Sequence, residues 1–151
     1  MDMQNIFMQT GNALTTLILR SPLHKIISKS TLLIAMTGHK SGHEITLPVN
    51  YFQFGDILYI TSLRGRTWWR NLRGSQPVRV WLRGHLIEGK ATTEEGYTTV
   101  FENLKNFFQN RPDITRYFGV RFEPNDQFNA QDLARLAQER VLVKVYLNQK
   151  N

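Results

Sequence analysis

Residues 38–72 read GHKSGHEITLPVNYFQFGDILYITSLRGRTWWRNL. Two short basic loops marked by glycine, GHKSG and RGR, belong to this stretch, and apolar and polar residues alternate between them over residues 44–52. Such alternation is typical of a strand with one covered face, and the glycines of the first loop predict a hairpin with the apolar residues that precede it. Pro48 cannot donate a ladder hydrogen bond, so we expect it at a sheet edge, a bulge or a strand end.

Further strands are predicted on both sides of this stretch. An apolar run precedes it, and Val78, Val80 and Leu82 alternate with polar residues after it. Most neighbouring strands are joined by tight turns, which force antiparallel pairing because parallel strands need long crossovers. The predicted strands are residues 31–36, 44–52, 57–62, 78–82, 86–91 and 140–147.

Helices are predicted where apolar residues recur every three or four positions. Residues 12–29 (with a break at Ser21-Pro22), 94–110 and 132–139 show this spacing, and a short helix capped by Thr67 is predicted after Gly65. The expected fold is therefore α+β, with a six-stranded antiparallel sheet built on a small barrel. We expect a single domain over residues 1–151, with residues 1–29 as a helical segment packed on or near it.

The composition favours a globular protein with one basic region. The chain has 151 residues and no cysteine, which excludes disulfides and thiolate chemistry. Its net charge of +7 is concentrated in residues 20–90, which carry +8, whereas the remainder carries −1. A field of this sign attracts anions. No signal peptide is evident and no apolar run approaches the ~20 residues that span a bilayer, so we expect a cytoplasmic protein.

The residues show no catalytic triad, no carboxylate pair and no metal-binding spacing. His39 and His43 flank a glycine turn rather than lie on a helix, and no third ligand is near them in the sequence. We therefore expect no metal site and assign no catalytic residue. If the protein is an enzyme, a cofactor carries the chemistry.

The remaining signal is anion binding around Arg64 and Arg70. A glycine loop before a helix, with arginines nearby, can hold a phosphate or a carboxylate. Competing interpretations are core packing for at least one of Trp68 and Trp69, and a solvated hairpin tip for Lys40 and Ser41. The sequence pI of about 10.0, with arginines between tryptophans, also permits a non-enzymatic nucleic-acid-binding module.

Three motifs together resemble a known family. They are TGHKSG at Thr37–Gly42, TLPV at Thr46–Val49 and TWWRNL at Thr67–Leu72. They resemble the deazaflavin-dependent nitroreductases, which belong to the flavin- and deazaflavin-binding split β-barrel oxidoreductases related to pyridoxamine 5'-phosphate oxidase. The resemblance implies a split barrel with an N-terminal helix, and a reduced deazaflavin (coenzyme F-420) that donates hydride to a small-molecule acceptor such as a nitroaromatic, a quinone or an enone. FMN is the alternative cofactor of the same fold.

The resemblance also implies which residues form the site. Those that would hold the acidic tail or phosphate of the cofactor are Lys40, Ser41 and Gly42. Those that would line its ring are Thr46, Pro48 and Val49 on one side and Ser62, Arg64, Gly65, Trp68, Trp69 and Asn71 on the other. The expected substrate side is Tyr51, Tyr117 and Phe118. Since split barrels often build their sites at a dimer interface, a homodimer with Arg79, Trp81 and Arg83 toward the partner is a further expectation, and no nucleic-acid partner is expected.

Overall fold

A computed structural model describes residues 30–125 and 127–148. The strands are β1 (Thr31–Thr37), β2 (Glu44–Asn50), β3 (Phe52–Phe54), β4 (Ile57–Leu63), β5 (Gln76–Leu82), β6 (His85–Glu94) and β7 (Arg140–Leu147). The helices are α1 (Tyr97–Asn110), α2 (Ala130–Glu139) and two short 3-10 helices, Trp68–Leu72 and Pro112–Ile114. The helical segment predicted over residues 12–29 lies outside the described residues.

The described residues form two compact units. The first, which we call the sheet unit, comprises residues 30–60, 68–93 and 143–148. The second, the helical unit, comprises residues 61–67, 94–125 and 127–142, with α1, α2 and the ends of β4 and β7. Whether residues 1–151 form a single domain stays a prediction.

All seven strands contribute residues to the sheet unit, in the order β2-β1-β5-β6-β7-β4-β3. The registers of β1 with β2, β1 with β5, β3 with β4 and β5 with β6 are all antiparallel. The predicted α+β class and antiparallel sheet are thus confirmed. The predicted number of six strands is wrong, because the run over residues 44–52 is divided between β2 and β3.

Tyr51 is the residue at which that run divides. β2 pairs with β1, whereas β3 pairs with β4, with Phe52 opposite Tyr59. Between them the Tyr51 N–H donates to the Ser30 carbonyl at 3.0 Å, and the Tyr51 side chain is buried. β2 and β3 are the two ends of the strand order, yet one residue joins them. The sheet must therefore curl until its two ends approach each other at Tyr51.

Pro48 lies in β2, an edge strand, as predicted. The Gly38 N–H donates to the His43 carbonyl at 2.8 Å, so Gly38 and His43 are a hydrogen-bonded pair. In an antiparallel ladder, hydrogen-bonded pairs alternate with pairs that form no such bonds. Pro48, opposite Leu33, falls at a position where backbone groups point away from β1. Its missing N–H therefore removes no bond from the ladder.

The core of the sheet unit follows the predicted alternation. Val78, Val80 and Leu82 are buried on one face of β5, as expected. β1 is instead covered on both faces, because five consecutive residues from Leu32 to Met36 are buried. A continuous apolar run is what a central strand with two covered faces requires.

The helical unit is built on the apolar face of α1. Val100, Leu104, Phe107 and Phe108 are buried as predicted, whereas Tyr97 is 44% exposed. The helix begins three residues later than predicted, because Glu94 ends β6 and the extended Gly96 is the N-cap. The helix predicted after Gly65 is a single 3-10 segment of five residues, Trp68–Leu72.

Candidate functional site

The tip of the β1–β2 hairpin is a tightly bonded basic loop. The Gly42 N–H donates to the Gly38 carbonyl at 2.9 Å, and the His43 N–H donates to Ser41 Oγ at 3.2 Å. Gly42 has φ 71°, in the left-handed region that favours glycine. A methyl group on Gly38 would lie 2.6 Å from Ser41 Oγ. Gly42 is thus favoured by the turn, whereas a side chain at Gly38 would require Ser41 to move. Lys40 is exposed on the turn.

A hydrogen bond joins this tip to the 3-10 helix Trp68–Leu72. The His39 N–H donates to Asn71 Oδ1 at 2.8 Å, and the Asn71 amide nitrogen donates to the Trp68 carbonyl at 3.0 Å. The structure therefore brings together two parts of the predicted cofactor site, both in the sheet unit. The first part is Lys40, Ser41 and Gly42, and the second is Trp68, Trp69 and Asn71.

This junction gathers positive charge. His39, Lys40 and Arg70, which we call the basic cluster, are all exposed. Lys40 and Arg70 form no ion pair with any acidic residue in the described part of the chain. No acidic side chain of the described residues therefore neutralises their charges, and an anion can approach them.

Trp69 lies buried beside the basic cluster. It is 4% exposed, and the guanidinium carbons of Arg70 and Arg73 lie 5.5 and 5.3 Å from the centroid of its ring. Its carbonyl accepts a hydrogen bond from Thr93 Oγ1 at 3.0 Å. Within the described residues, its indole N–H is buried without an acceptor. A buried donor left unpaired costs roughly 1–3 kcal/mol, so this N–H suits an acceptor atom of a ligand.

Glu44, at the start of β2, adds a carboxylate close to the basic loop. Arg79 forms an ion pair with it. The Arg79 guanidinium carbon also lies 5.6 Å from the centroid of the Trp81 ring. Because this ion pair balances the negative charge of Glu44, the carboxylate repels an anionic ligand less than an unpaired carboxylate would at the same position.

The residues predicted to line a ring on β2 are divided between its faces. Thr46 and Pro48 pair with Ala35 and Leu33 and share one face, whereas Val49 alternates to the other. All three are half-buried. Their predicted contact with a ring thus runs through the backbone of the edge strand rather than through one shared side-chain face.

Ser62, Arg64 and Gly65 belong to the helical unit. The Arg64 side chain donates to the carbonyls of Gln138 at 2.8 Å and Ala137 at 3.0 Å, at the C-terminal end of α2. Helix C-termini carry partial negative charge, so this cation stabilises α2 there. Ser62 is buried at 4% exposure. The structure thus gives Arg64 a structural role. Its predicted contact with a cofactor stays a prediction.

Tyr117 and Phe118, the predicted substrate side, also lie in the helical unit. Tyr117 is 63% exposed and contacts Phe118 edge-on, with ring centroids 5.2 Å apart. The Arg140 guanidinium carbon lies 5.8 Å from the Phe118 centroid, and Arg140 donates to Thr61 Oγ1 at 3.1 Å. Ser62 lies on the face of β4 opposite Thr61.

The strongest charged interaction of the helical unit joins Asp132 to Arg121, and the sequence did not single it out. Arg121 donates to the two Asp132 oxygens from its side chain at 2.8 and 3.1 Å and from its backbone N–H at 3.0 Å. The Arg121 side chain first, and its backbone N–H second, lower the pKa of Asp132 from 3.8 to about 2. Asp132 is 4% exposed, so the pair fixes the start of α2.

This pair predicts a pH dependence of stability. Since the pKa of Asp132 is lower in the folded protein, its carboxylate stabilises fully above about pH 4, and that contribution is lost as the pH falls through about 2. We expect the thermal midpoint of Arg121→Gln to lie below that of the wild type at neutral pH, and the difference to shrink toward pH 2. A difference that stays constant over this range would contradict the assignment.

Two general features of the described residues bear on the site. No group of three or more His, Cys, Asp or Glu side chains in residues 30–125 and 127–148 is arranged to hold a metal ion. In the same residues, no helix has the length and apolar character needed to cross a bilayer.

Comparison with solved structures confirms the fold. The chain matches HutZ, a heme storage protein from Vibrio cholerae, with TM-score 0.52 and 14% identity over 86% of this chain and 91% of that one. It matches an FAD and heme binding protein from Mycobacterium smegmatis with TM-score 0.48 and 17% identity, over 81% of this chain. It spans 62% of that protein, which is less than two thirds of its length. An F420 reductase matches with TM-score 0.43 and 14% identity over 80% of this chain and 87% of that one.

At these identities the likeness shows the fold alone, an α+β split barrel. The sequence matches no protein-family model and no curated protein.

Proposed function

We propose that this split-barrel chain is a flavin-type oxidoreductase, and specifically that it uses a reduced deazaflavin, coenzyme F-420, to reduce a small electron-poor acceptor. The observation that carries the proposal is the 2.8 Å hydrogen bond from the His39 N–H to Asn71 Oδ1. It assembles two basic elements into one surface beside the buried Trp69. A flavin or deazaflavin with a phosphorylated side chain needs such a combination of cations and an aromatic wall.

The basic cluster suits the anionic end of the cofactor. Lys40 and Arg70 supply charged donors, and the exposed Ser41 supplies a hydroxyl. Hydrogen bonds to charged groups are worth roughly 1.5–3 kcal/mol each, so Lys40 and Arg70 together would supply a large part of the about 8 kcal/mol that micromolar binding requires. The ion pair of Arg79 with Glu44 removes the main repulsive charge from the same end of the sheet.

The ring-binding end is proposed to use Trp69 and the edge strand. The unpaired indole N–H of Trp69 would donate to an acceptor on the ring system, and the backbone at Pro48 would contact the ring from β2. The bound cofactor would supply a hydride. The chain's own residues would hold the hydride donor next to the acceptor and exclude water from the space between them. Tyr51, Tyr117 and Phe118 remain the residues proposed to contact the acceptor, with a hydroxyl group or water as proton source.

The decisive measurement is cofactor titration of the purified full-length protein. We expect oxidised and reduced F-420 to bind with micromolar or better affinity at low salt, and the affinity to fall as salt is raised because the tail is held by exposed cations. Monitoring the intrinsic fluorescence of the deazaflavin gives the dissociation constant directly. Absence of binding at low salt would refute the deazaflavin proposal.

The same preparation distinguishes the alternatives. A yellow protein with a flavin spectrum, or tighter binding of FMN than of F-420, would identify an FMN-dependent oxidoreductase instead. Because the matched structures include a heme storage protein, a shift of the porphyrin absorption band relative to free heme on adding the protein would point away from hydride transfer. Tight binding to DNA or RNA that weakens steeply with salt would support a nucleic-acid-binding module.

A further inference from the structure

A second cavity lies wholly within the helical unit, between α1 and the segment over residues 122–133. Its volume is about 720 Å³, which is within the range of small-molecule sites. α1 supplies Phe101, Lys105, Phe108 and Gln109. They follow one another at intervals of four, three and one residues, which places them on one side of the helix. None of these residues takes part in the proposed cofactor site.

Aromatic rings form the walls of this cavity. The Phe108 and Phe128 centroids are 6.0 Å apart at 67°, and those of Phe122 and Phe128 are 5.2 Å apart at 51°. Phe108 is fully buried, so the aromatic surface that a ligand can reach belongs to Phe101, Phe122 and Phe128. A flat aromatic guest can make edge-to-face and offset contacts with such walls.

The outer wall is fixed in place although it is exposed. Phe122 is 47% exposed, which is unusual for a phenylalanine. It pairs with Phe128 in an isolated antiparallel bridge. Backbone bonds flank that bridge, from the Glu123 N–H to Gln127 at 2.7 Å and from the Asn129 N–H to Arg121 at 2.8 Å. These backbone bonds hold the segment that carries Phe122 and Phe128 beside α1.

The charge of the lining selects the ligand. Lys105 is the only charged side chain among the described residues that line the cavity. It is exposed and has no ion pair with an acidic residue of the described chain. Gln109 and Gln127 add amide groups that can bond carboxylate or sulfonate oxygens.

We propose that this cavity binds a planar aromatic monoanion, with its rings against Phe122 and Phe128 and its carboxylate or sulfonate at Lys105. The site is independent of the proposed redox function, and its test does not require the redox cofactor. A neutral aromatic molecule would use only the walls, and an aliphatic anion would use only the lysine. Binding by the proposed class should need both.

A pair of fluorescent probes with the same rings tests this. 8-Anilinonaphthalene-1-sulfonate carries a sulfonate, and N-phenyl-1-naphthylamine lacks it. Both are titrated into the full-length protein, Lys105→Gln and Phe122→Ala. We expect Lys105→Gln to weaken the sulfonate probe about five- to tenfold and to leave the neutral probe unchanged. Phe122→Ala should weaken both probes. Near-UV circular dichroism confirms that each variant keeps its native packing.

Matched controls test whether the effects are specific to this cavity. Lys90→Gln removes an exposed cation of the sheet unit, and Phe54→Ala removes a phenylalanine that is 48% exposed in the same unit. Neither should change the affinity of either probe. Equal weakening of both probes by Lys105→Gln, no effect of Lys105→Gln on the sulfonate probe, no effect of Phe122→Ala, or loss of sulfonate binding in Lys90→Gln would overturn the proposal.

Discussion

Gly89→Ala is expected to destabilise the protein by about 1–3 kcal/mol, the range found when extra methyl groups are forced into a packed interior. A Cβ on Gly89 would lie 2.5 Å from the carbonyl oxygen of Tyr146 and 3.4 Å from the Cα of Leu147. These are backbone atoms of β7, so no side-chain rotation relieves the contact. Either β6 or β7 has to move, which disturbs the centre of the strand order.

Chemical denaturation of Gly89→Ala and the wild type measures this loss as a lower midpoint. Gly65→Ala is the control, because a Cβ there would meet nothing within 4 Å and Gly65 lacks a positive φ. That substitution should be neutral or stabilise the protein by up to about 1 kcal/mol, since alanine restricts the unfolded chain. Equal stability of the two variants would show that β7 does not approach Gly89 as closely as the structure shows.

The second large effect concerns cofactor affinity. Lys40→Gln and Arg70→Gln are each expected to weaken binding of F-420 about tenfold, because each removes a charged donor from the basic cluster. The double variant should bind about 100-fold more weakly if the two side chains act separately on the tail. Both residues are exposed, so stability should be almost unchanged. The dissociation constants are measured at one low salt concentration.

Glu44→Gln provides a control of opposite sign. It removes the carboxylate that Arg79 balances and leaves the guanidinium available to an anion. We expect binding to tighten by about two- to fivefold, since one repulsive charge is lost at an exposed position. If all three variants weaken binding to the same extent, general damage to the site would explain the data better than charge.

Local patterns in the sequence predicted most strands because their cause is local. Val78, Val80 and Leu82 alternate with a period of two whatever lies across from them, and that face is buried. The division at Tyr51 escaped prediction because its local signal is a single change of phase. Apolar residues fall at odd positions from Ile45 to Tyr51 and at even positions from Phe52, and the pairing of Phe52 with Tyr59 shows that this change marks a second strand.

The candidate site shows the same limit. The motifs indicated that the loop at Lys40 and the segment at Asn71 act together, but the bond between His39 and Asn71 spans 32 residues. The ion pair of Glu44 with Arg79 spans 35 residues, so the sequence alone does not show that the charge of Glu44 is balanced. Arg140 was not singled out, because its strand was recognised by its valines and its contact with Phe118 arises from tertiary packing.

Pro48 also affects how copies of the chain can associate. Edge strands expose rows of backbone donors and acceptors that can pair with another molecule and seed aggregates. In β2 the nitrogen of Pro48 lies on the outward side, where an incoming strand would require an N–H. The other end of the strand order is β3, which has three residues and offers little length for pairing. The residue that marks the ring-side strand of the proposed site thus also protects the sheet against growth by strand addition.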